Sequence, residues 1–311
     1  MCDDVNVNSF QQLRKAELHL HLGGSYPKEY LLSIATQEQK DQLEKELDAI
    51  AKGVSYCDVF AVFQLVGKII NSEEKVQEGV QQLCFELQKD YVDYVEIRTG
   101  LKDLGQGREA YLKAVLAGIQ ASKSPQFDAK VYLSLQRNSS AESVRETIHL
   151  ALKYRELGVI GIDISGDSTV GAIDEIMPIL IEGEKAGLAF VVHMGESPEE
   201  SDQMLLLQML HPIRIGHAVH LSREAREWIM KERIPVEVCL SSSVLAGMIS
   251  DFAAHPGFEM CRSGHPIVFC SDDPLIFSTD LSRELQLAQQ YGRFDRGEIE
   301  AIVHDALMFR P

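Results

Sequence analysis

The chain has 311 residues, of which 45% are hydrophobic and 25% are charged, an ordinary globular composition that can bury a sizeable core without disulfides. Its formal net charge is −17. Such a surface repels polyanions, so we expect no nucleic-acid partner, although a small substrate in a local pocket is not excluded.

The sequence also predicts the compartment. No stretch approaches 18 consecutive apolar residues, and the first residues lack the basic and apolar regions of a signal peptide. The six cysteines are scattered without a C-x-x-C pair, which is typical of reduced thiols: Cys2, Cys57, Cys84, Cys239, Cys261 and Cys270. We therefore expect a cytoplasmic protein that has no membrane span.

Short runs rich in Val, Ile and Leu alternate with longer helical stretches along the chain. Eight runs are strand candidates, at residues 15–21, 93–98, 129–136, 159–165, 189–195, 213–219, 235–241 and 266–272. Eight buried strands alternating with helices predict a single (β/α)₈ TIM barrel domain over residues 1–311, and an open doubly wound sheet is the alternative.

One long insertion separates the first two predicted strands, at about residues 25–90. It holds two or three helices, one of them over the segment CDVFAVFQLVGKII. Insertions that follow a barrel strand lie on the catalytic face, where they can form a lid.

Polar side chains collect at the C-terminal ends of four predicted strands, where barrel enzymes carry their reactive groups. They are His19 and His21 on the first strand, His193 and Glu196 after the fifth, His217 in GHAVH on the sixth, and Asp272 and Asp273 after the eighth. Each cluster alone also has a structural explanation, as a buried hydrogen-bonded histidine or a turn. Their coincidence at one end of a barrel favours a functional site.

His19 and His21 are two residues apart on a strand, so their side chains face the same way. If they point inward, they meet His193 and Asp272, and three imidazoles with one carboxylate suit a single zinc ion and a bound water. Glu17 faces inward by the same alternation, and we interpret it as a buried partner for a basic group.

The acid–base groups follow from the same arrangement. Glu196 lies three residues beyond His193 and is placed to take and give protons. His217 is placed to orient or deprotonate the water, and Asp273 to hold the substrate.

The motifs KAELHLHL, YVEIRTG, GIDISGD, HMGE, RIGHAVH, VEVCLSSS and SDDPLIF occur in this order over nearly the whole chain. In this set the sequence resembles the adenosine deaminase family of metal-dependent amidohydrolases. The resemblance implies a purine nucleoside or nucleotide substrate, whose 6-amino group leaves as ammonia or an amine to give the 6-oxopurine.

The resemblance also implies residue roles. Zinc ligation falls to His19, His21, His193 and Asp272. Glu196 protonates purine N1 as water attacks C6, and His217 orients the hydroxide at the zinc. Asp273 accepts a hydrogen bond from N7 or shares a proton with it, and the backbone of Gly166 contacts N3.

One position departs from the family pattern. Gly23 stands where adenosine deaminases carry an acidic residue that holds the ribose 5′-hydroxyl. Without that carboxylate, a 5′-phosphate is no longer repelled. Other segments, among them DLSRELQLAQQYG, resemble the adenosine deaminase-like branch, which acts on N6-methyl-AMP and similar nucleotides.

Two features of the substrate's surroundings stay open. Arg98, Lys102 and Arg137 lie near the ends of the second and third strands, either to bind a phosphate or to pair with inward acids. Phe60 and Phe63 form either an apolar lid over the nucleoside or a helix that packs on the barrel.

Two other functions remain as alternatives. A related amidohydrolase could act on another bond, an amide or a phosphoester, or on a different purine-like substrate. Many two-metal members carry a lysine on the fourth strand, whereas DISGD has none, which favours one metal. A catalytically inactive nucleoside-binding relative should have lost a ligand or the acid, and none is missing.

Overall fold

The computed structural model describes residues 10–53, 56–170 and 173–311. In these ranges eight parallel strands form one sheet in sequence order: β1 (Lys15–His21), β2 (Val92–Gly100), β3 (Asp128–Gln136), β4 (Val159–Ser165), β5 (Ala189–Met194), β6 (Arg214–His217), β7 (Val236–Val238) and β8 (Ile267–Phe269). Every predicted strand is present, and the bounds of β1 and β4 are those predicted. The last three strands are shorter than predicted.

The sheet closes between β1 and the segment that follows β8. The amide of His21 donates to the carbonyl of Asp272 at 2.9 Å, and the amide of Asp272 donates to the carbonyl of His19 at 3.0 Å. These bonds turn the sheet into a nearly closed (β/α)₈ barrel, so the predicted fold is confirmed. Through backbone pairing alone, they also bring together three predicted metal ligands, His19, His21 and Asp272.

Within the described ranges, fourteen α-helices surround the barrel. They are α1 (Lys28–Ile34), α2 (Gln37–Ile50), α3 (Tyr56–Ile69), α4 (Glu73–Lys89), α5 (Arg108–Ala121), α6 (Ala141–Lys153), α7 (Ile173–Lys185), α8 (Gln203–Leu210), α9 (Arg223–Glu232), α10 (Leu240–Leu245), α11 (Gly257–Arg262), α12 (Pro274–Phe277), α13 (Leu281–Gly292) and α14 (Arg296–Ala306). Several begin at a Ser, Thr or Asp whose side chain accepts a bond from the first turn, as Thr36 does for α2 and Ser222 for α9.

In the described residues, the segment between β1 and β2 contains four helices, of which α4 packs against β2 and α5 as a regular barrel helix does. The insertion proper therefore consists of α1, α2 and α3, which agrees with the two or three helices that the sequence predicted. Helix α3 contacts the short 3₁₀ turn Leu22–Gly24 that follows β1, which places it over the C-terminal end of the barrel.

The barrel interior carries a buried charge network beneath this end. Arg98, Arg214, Glu96 and Glu237 are all 0% exposed. Arg98 Nη2 donates to Glu237 Oε2 at 2.6 Å, and Arg214 Nε donates to Glu237 Oε1 at 2.7 Å. Arg214 also pairs with Glu96. Removing one member of such a network leaves an unpaired buried charge, which costs about 3–5 kcal/mol.

Cys84, Cys239, Cys261 and Cys270 are free thiols, as predicted. Cys2 and the side chain of Cys57 lie outside the described part of the chain. No helix in the described ranges combines the length and the apolar character needed to cross a membrane.

Candidate active site

Five polar side chains converge at the C-terminal end of the barrel. The Nε2 atom of His21 lies 3.2 Å from His19 Nε2 and 2.9 Å from His193 Nε2. Asp272 Oδ1 lies 3.3 Å from His19 Nε2 and 3.5 Å from His21 Nε2. Ligand atoms of His19, His193, His217 and Asp272 all fall within 4.8 Å of one another. The structure thus brings together the four residues predicted to bind zinc, with His217 beside them.

The donor atoms of this cluster fit a metal ion. Three imidazole nitrogens face one another across about the length of a hydrogen bond, and a carboxylate oxygen lies beside them. When these Nε2 atoms are unprotonated, their lone pairs face one another and the carboxylate oxygen of Asp272. A cation between them removes the resulting repulsion. Three nitrogens and one oxygen form a donor set typical of catalytic zinc.

Two residues of this cluster have a strained backbone. His217 and Asp272 have φ angles of 64° and 63°, a left-handed region that costs energy for residues other than glycine. His217 ends β6 and Asp272 lies shortly after β8, so both residues stand at the C-terminal end of the barrel. Such strain concentrates at functional sites.

Buried carboxylates hold the far side of two of the imidazoles. Glu237 Oε2 accepts from His19 Nδ1 at 2.8 Å, and Asp163 Oδ1 lies 3.0 Å from His193 Nδ1. Contacts of this kind fix which ring nitrogen carries the proton and leave Nε2 free to bind a metal. Asp163 also accepts from Ser134 and Arg98, and these bonds hold its carboxylate in place beside His193.

The two adjacent aspartates have opposite electrostatics. Although burial acts to raise it, contacts with His19 and other imidazoles hold the pKa of Asp272 well below its usual value. Burial and the neighbouring Asp272 charge raise the pKa of Asp273 well above its usual value. Asp272 is therefore suited to bind a cation, and Asp273 to hold a proton that a ring nitrogen can share.

The proposed proton-transfer groups lie next to the cluster. His217 Nε2 is 3.6 Å from Glu196 Oε1 and 4.0 Å from Asp272 Oδ2. His217 Nδ1 and Asp273 Oδ1 are buried and have no hydrogen-bond partner among the described residues. Buried polar atoms usually have partners, so these two are positioned for a ligand.

A cavity of about 450 Å³ opens above the cluster, a size typical of small-molecule sites. Its lining includes all five residues that the sequence predicted to contact substrate: Gly23, Phe60, Phe63, Gly166 and Asp273. It also includes His21, His193, Glu196, His217 and Asp272. The cavity therefore joins three of the four predicted metal ligands to the predicted acid–base and substrate-binding residues, whereas His19 is fully buried and does not line it.

Gly24 packs against Asp273, one of the residues that line this cavity. A Cβ atom at Gly24 would lie only 1.9 Å from Asp273 Oδ1. Asp273 can occupy its position only because residue 24 has no side chain. The Gly-Gly pair after β1 is the signal in the sequence for this close approach.

Two of the three candidate phosphate-binding cations, Arg98 and Arg137, already form ion pairs within the protein. Arg98 is held by Glu237, Asp163 and the carbonyl of Leu18. Arg137 is paired with Glu200 and Asp202. A phosphate role for either arginine is therefore wrong, since its charge is already neutralised inside the protein.

Lys102 is the third candidate, and it differs from both arginines. It lines the cavity, and within the described ranges it has no ion-pair or hydrogen-bond partner. Partial burial lowers the pKa of Lys102.

The prediction for Glu17 is also wrong. Glu17 is fully buried and accepts from the hydroxyl and amide of Ser271 at 2.6 and 2.9 Å and from the amide of His19 at 3.0 Å. No basic side chain in the described ranges binds it, because Arg98 and Arg214 already pair with Glu237. Burial raises the pKa of Glu17 to about 7.

Residues 14–309 match the family model described as Adenosine deaminase. The chain belongs to the adenosine deaminase family. Within it, an N6-methyl-AMP deaminase of Danio rerio is 31% identical over 295 residues, which cover 90% of this chain and 85% of that protein. The crystal structure of an Arabidopsis N6-mAMP deaminase superposes with a TM-score of 0.89 at 30% identity, covering 97% of this chain and 94% of that one.

A second crystal structure with a similar fold contains a nucleotide. It is that of Arabidopsis ADAL complexed with IMP, which superposes with a TM-score of 0.88 at 29% identity, covering 97% of this chain and 93% of that one. The family and these relatives identify the chain as a hydrolytic deaminase.

Proposed function

We propose that this deaminase removes the 6-amino or 6-alkylamino group from a purine nucleoside 5′-monophosphate of the N6-methyl-AMP type, with one zinc ion as cofactor. The observation that carries the proposal is the unpaired Lys102 in a cavity whose Gly23 lacks a carboxylate. Relatives that act on N6-methyl-AMP, and one that holds IMP, support it.

The metal-binding part of the proposal rests on His19, His21, His193 and Asp272, whose donor atoms converge. A zinc ion held there lowers the pKa of a water molecule and so supplies a nucleophile near neutral pH. Glu237 and Asp163 hold the histidine rings in the orientation that ligation needs.

Glu196 is the proposed proton donor. Attack of water at C6 breaks the aromaticity of the ring, so N1 must gain a proton as the new C–O bond forms. Glu196 supplies that proton, and His217, whose Nε2 lies 3.6 Å from Glu196 Oε1, orients the water and takes its proton. The C6–N bond then breaks, the proton of the new C6 hydroxyl leaves with the amine to give the 6-oxopurine, and the proton held by His217 restores Glu196. Positioned acid–base catalysis of this kind typically contributes about 10²–10⁴-fold.

Asp273 and Gly166 are the proposed contacts of the ring. Both line the cavity. Asp273 shares a proton with N7, which its raised pKa favours. The backbone of Gly166 contacts N3, where its positive φ of 83° presents the main chain to the cavity.

The proposal of a 5′-phosphate on the substrate rests on the charges of the residues that line the cavity. At the metal end the cavity is acidic, with Glu196, Asp272 and Asp273. Lys102 is a cation in the same cavity that no carboxylate neutralises in the described ranges. A 5′-phosphate gives that buried ammonium an ionic partner, and a charged hydrogen bond is worth about 1.5–3 kcal/mol. Free adenosine offers Lys102 nothing comparable, so we favour the nucleotide.

The test is a substrate panel combined with a lysine substitution. Zinc-loaded protein is assayed with N6-methyl-AMP, AMP, N6-methyladenosine and adenosine by amine release. We expect Lys102→Met to lower kcat/KM for the nucleotides by about 10–100-fold, from the value of a charged hydrogen bond, and to leave the nucleosides unchanged.

Lys123→Met, at an exposed lysine, is the matched control because it changes the net charge equally. Equal losses on nucleotides and nucleosides would show that Lys102 does not bind the phosphate. Failure of the parent enzyme to turn over any 6-amino or 6-alkylamino purine would refute the proposed function itself.

A further inference from the structure

Arg137 is a buried cation that the proposed mechanism does not use. It follows β3, is 2% exposed and lies outside the substrate cavity. Its Nη2 donates to the carbonyl oxygen of His193 at 2.8 Å and to Glu200 Oε1 at 3.0 Å, and its Nε donates to Asp202 Oδ2 at 2.9 Å. The guanidinium therefore bridges the end of β3 to the loop after β5.

Glu200 holds the same loop from the other side. Its Oε2 accepts from the amide of Gly195 at 2.6 Å, and the amide of Glu196 also bonds to its carboxylate. Arg137 thus fixes the carbonyl of His193, while Glu200 fixes the amides of Gly195 and Glu196. We call Arg137 and Glu200 the β5 clamp.

The loop has no freedom on its opposite face. Gly195 has φ of 75°, and a Cβ atom there would lie 2.9 Å from the amide nitrogen of His220. That amide donates to the carbonyl of Gly195 at 2.7 Å. Gln203 extends the contact by donating to the carbonyl of His220 at 2.9 Å. The residues before Glu196 are therefore held between the β5 clamp and the loop after β6.

A contribution to the stability of the fold does not by itself explain the buried ion pair between Arg137 and Glu200. A buried ion pair is often no more stabilising than apolar side chains of similar volume, because both charges lose their hydration. What the pair does provide is direction, since Nε and Nη2 of Arg137 and both carboxylate oxygens of Glu200 bond to a backbone group or to a charged partner. The backbone that these bonds hold carries Glu196, whose Oε1 lies 3.6 Å from His217 Nε2.

We propose that Arg137 and Glu200 are positioning residues that fix the proton donor Glu196 for the chemical step. The inference rests on the proposed function, because that function makes Glu196 the donor. A displacement of about 1 Å in a reacting group can cost roughly 10²-fold in rate. Loosening the β5 clamp should therefore lower kcat, whereas the other residues that line the cavity continue to bind the substrate.

The test compares Arg137→Lys and Glu200→Gln with Arg108→Lys and Glu146→Gln. The second pair makes the same chemical changes in a surface ion pair. For the clamp variants we expect kcat per IMP-binding site to fall about 10–100-fold, with zinc content, KM and IMP affinity unchanged. The surface variants should keep the parent kcat. Counting active sites by IMP titration removes any unfolded fraction from the comparison.

A double variant separates positioning from general damage. Because the β5 clamp acts through Glu196, adding Arg137→Lys to Glu196→Gln should cause no further loss of kcat. Independent, multiplying losses would overturn the inference. If the clamp variants do not fold, Asp202→Asn weakens only the more exposed contact of Arg137, and an unchanged kcat in that variant would equally overturn it.

The possible failures are distinguishable. A parent enzyme without nucleotide turnover refutes the proposed function before any clamp variant is made. Full activity of Glu196→Gln refutes the proton-donor role. An inactive Glu196→Gln combined with fully active clamp variants refutes the β5 clamp alone.

Discussion

Gly24→Ala tests the packing of the catalytic end of the barrel with the smallest available change. The added methyl group would lie 1.9 Å from Asp273 Oδ1, 2.5 Å from its Cγ and 2.7 Å from its Cβ. Unstrained carbon contacts lie at about 3.5–4.0 Å. Rotation of the carboxyl group cannot relieve the clash with Cβ, so the backbone of one residue must move by roughly 1 Å.

A shift of about 1 Å in a group that contacts the reacting ring costs about 10²-fold, which corresponds to about 2.7 kcal/mol of transition-state stabilisation. We therefore expect Gly24→Ala to lower kcat/KM for N6-methyl-AMP by about two orders of magnitude. Methylamine release gives the rate, and the zinc content shows whether His21, three residues earlier, still binds metal.

Gly23→Ala is the matched control, since the same methyl group one residue earlier meets only the ring of Phe63, at 3.0 and 3.4 Å. That ring can turn away, so a loss of no more than a few-fold is expected. If Gly24→Ala keeps kcat/KM within about three-fold of the parent, the reasoning from the Asp273 contact is refuted.

Three further predictions concern buried or lining side chains. Burial raises the pKa of Glu284 to about 7 from 4.5, so the folded state binds the extra proton between those pH values and the free energy of unfolding falls as pH rises through them. Glu284→Gln should flatten that dependence in urea unfolding measured from acid to neutral pH, and an unchanged slope would contradict it. Glu237→Gln should weaken zinc binding about 10–100-fold in competition with a chelator, because His19 loses its carboxylate partner, and equal affinity would refute this role. Phe63→Ala should raise KM about ten-fold with kcat preserved if the ring covers bound nucleotide, whereas an unchanged KM would leave Phe63 as a packing residue.

The barrel and the convergence of its site could be predicted because both follow from local patterns. β1 was predicted to the residue, since alternation of Glu17, His19 and His21 with buried leucines fixes both the strand and its inward face. The carboxyl ends of parallel strands must meet, so His193 and Asp272 could be placed beside His19 without knowledge of the helices.

Pairing inside the barrel could not be predicted, because it depends on how deep each side chain sits. Glu17 and Glu237 both face inward, yet Glu237 meets two arginines while Glu17 meets a serine and two backbone amides. For the same reason, the sequence could not separate Lys102 from Arg98 as a cation for substrate. Strand spacing gives the direction of a side chain and leaves its partner undetermined.

The charge network beneath the site has a consequence for how this enzyme can change. Glu237 is held by Arg98 and Arg214 and contacts His19, so replacing Glu237 or either arginine leaves an uncompensated charge in the interior. A substitution of one of these charged residues therefore requires a compensating substitution of its partner. Lys102, on the cavity wall, has no such partner in the described ranges and can be exchanged singly. Under the proposed function, this arrangement lets the preference for the 5′ substituent change through Lys102 while the buried residues beneath the metal site stay the same.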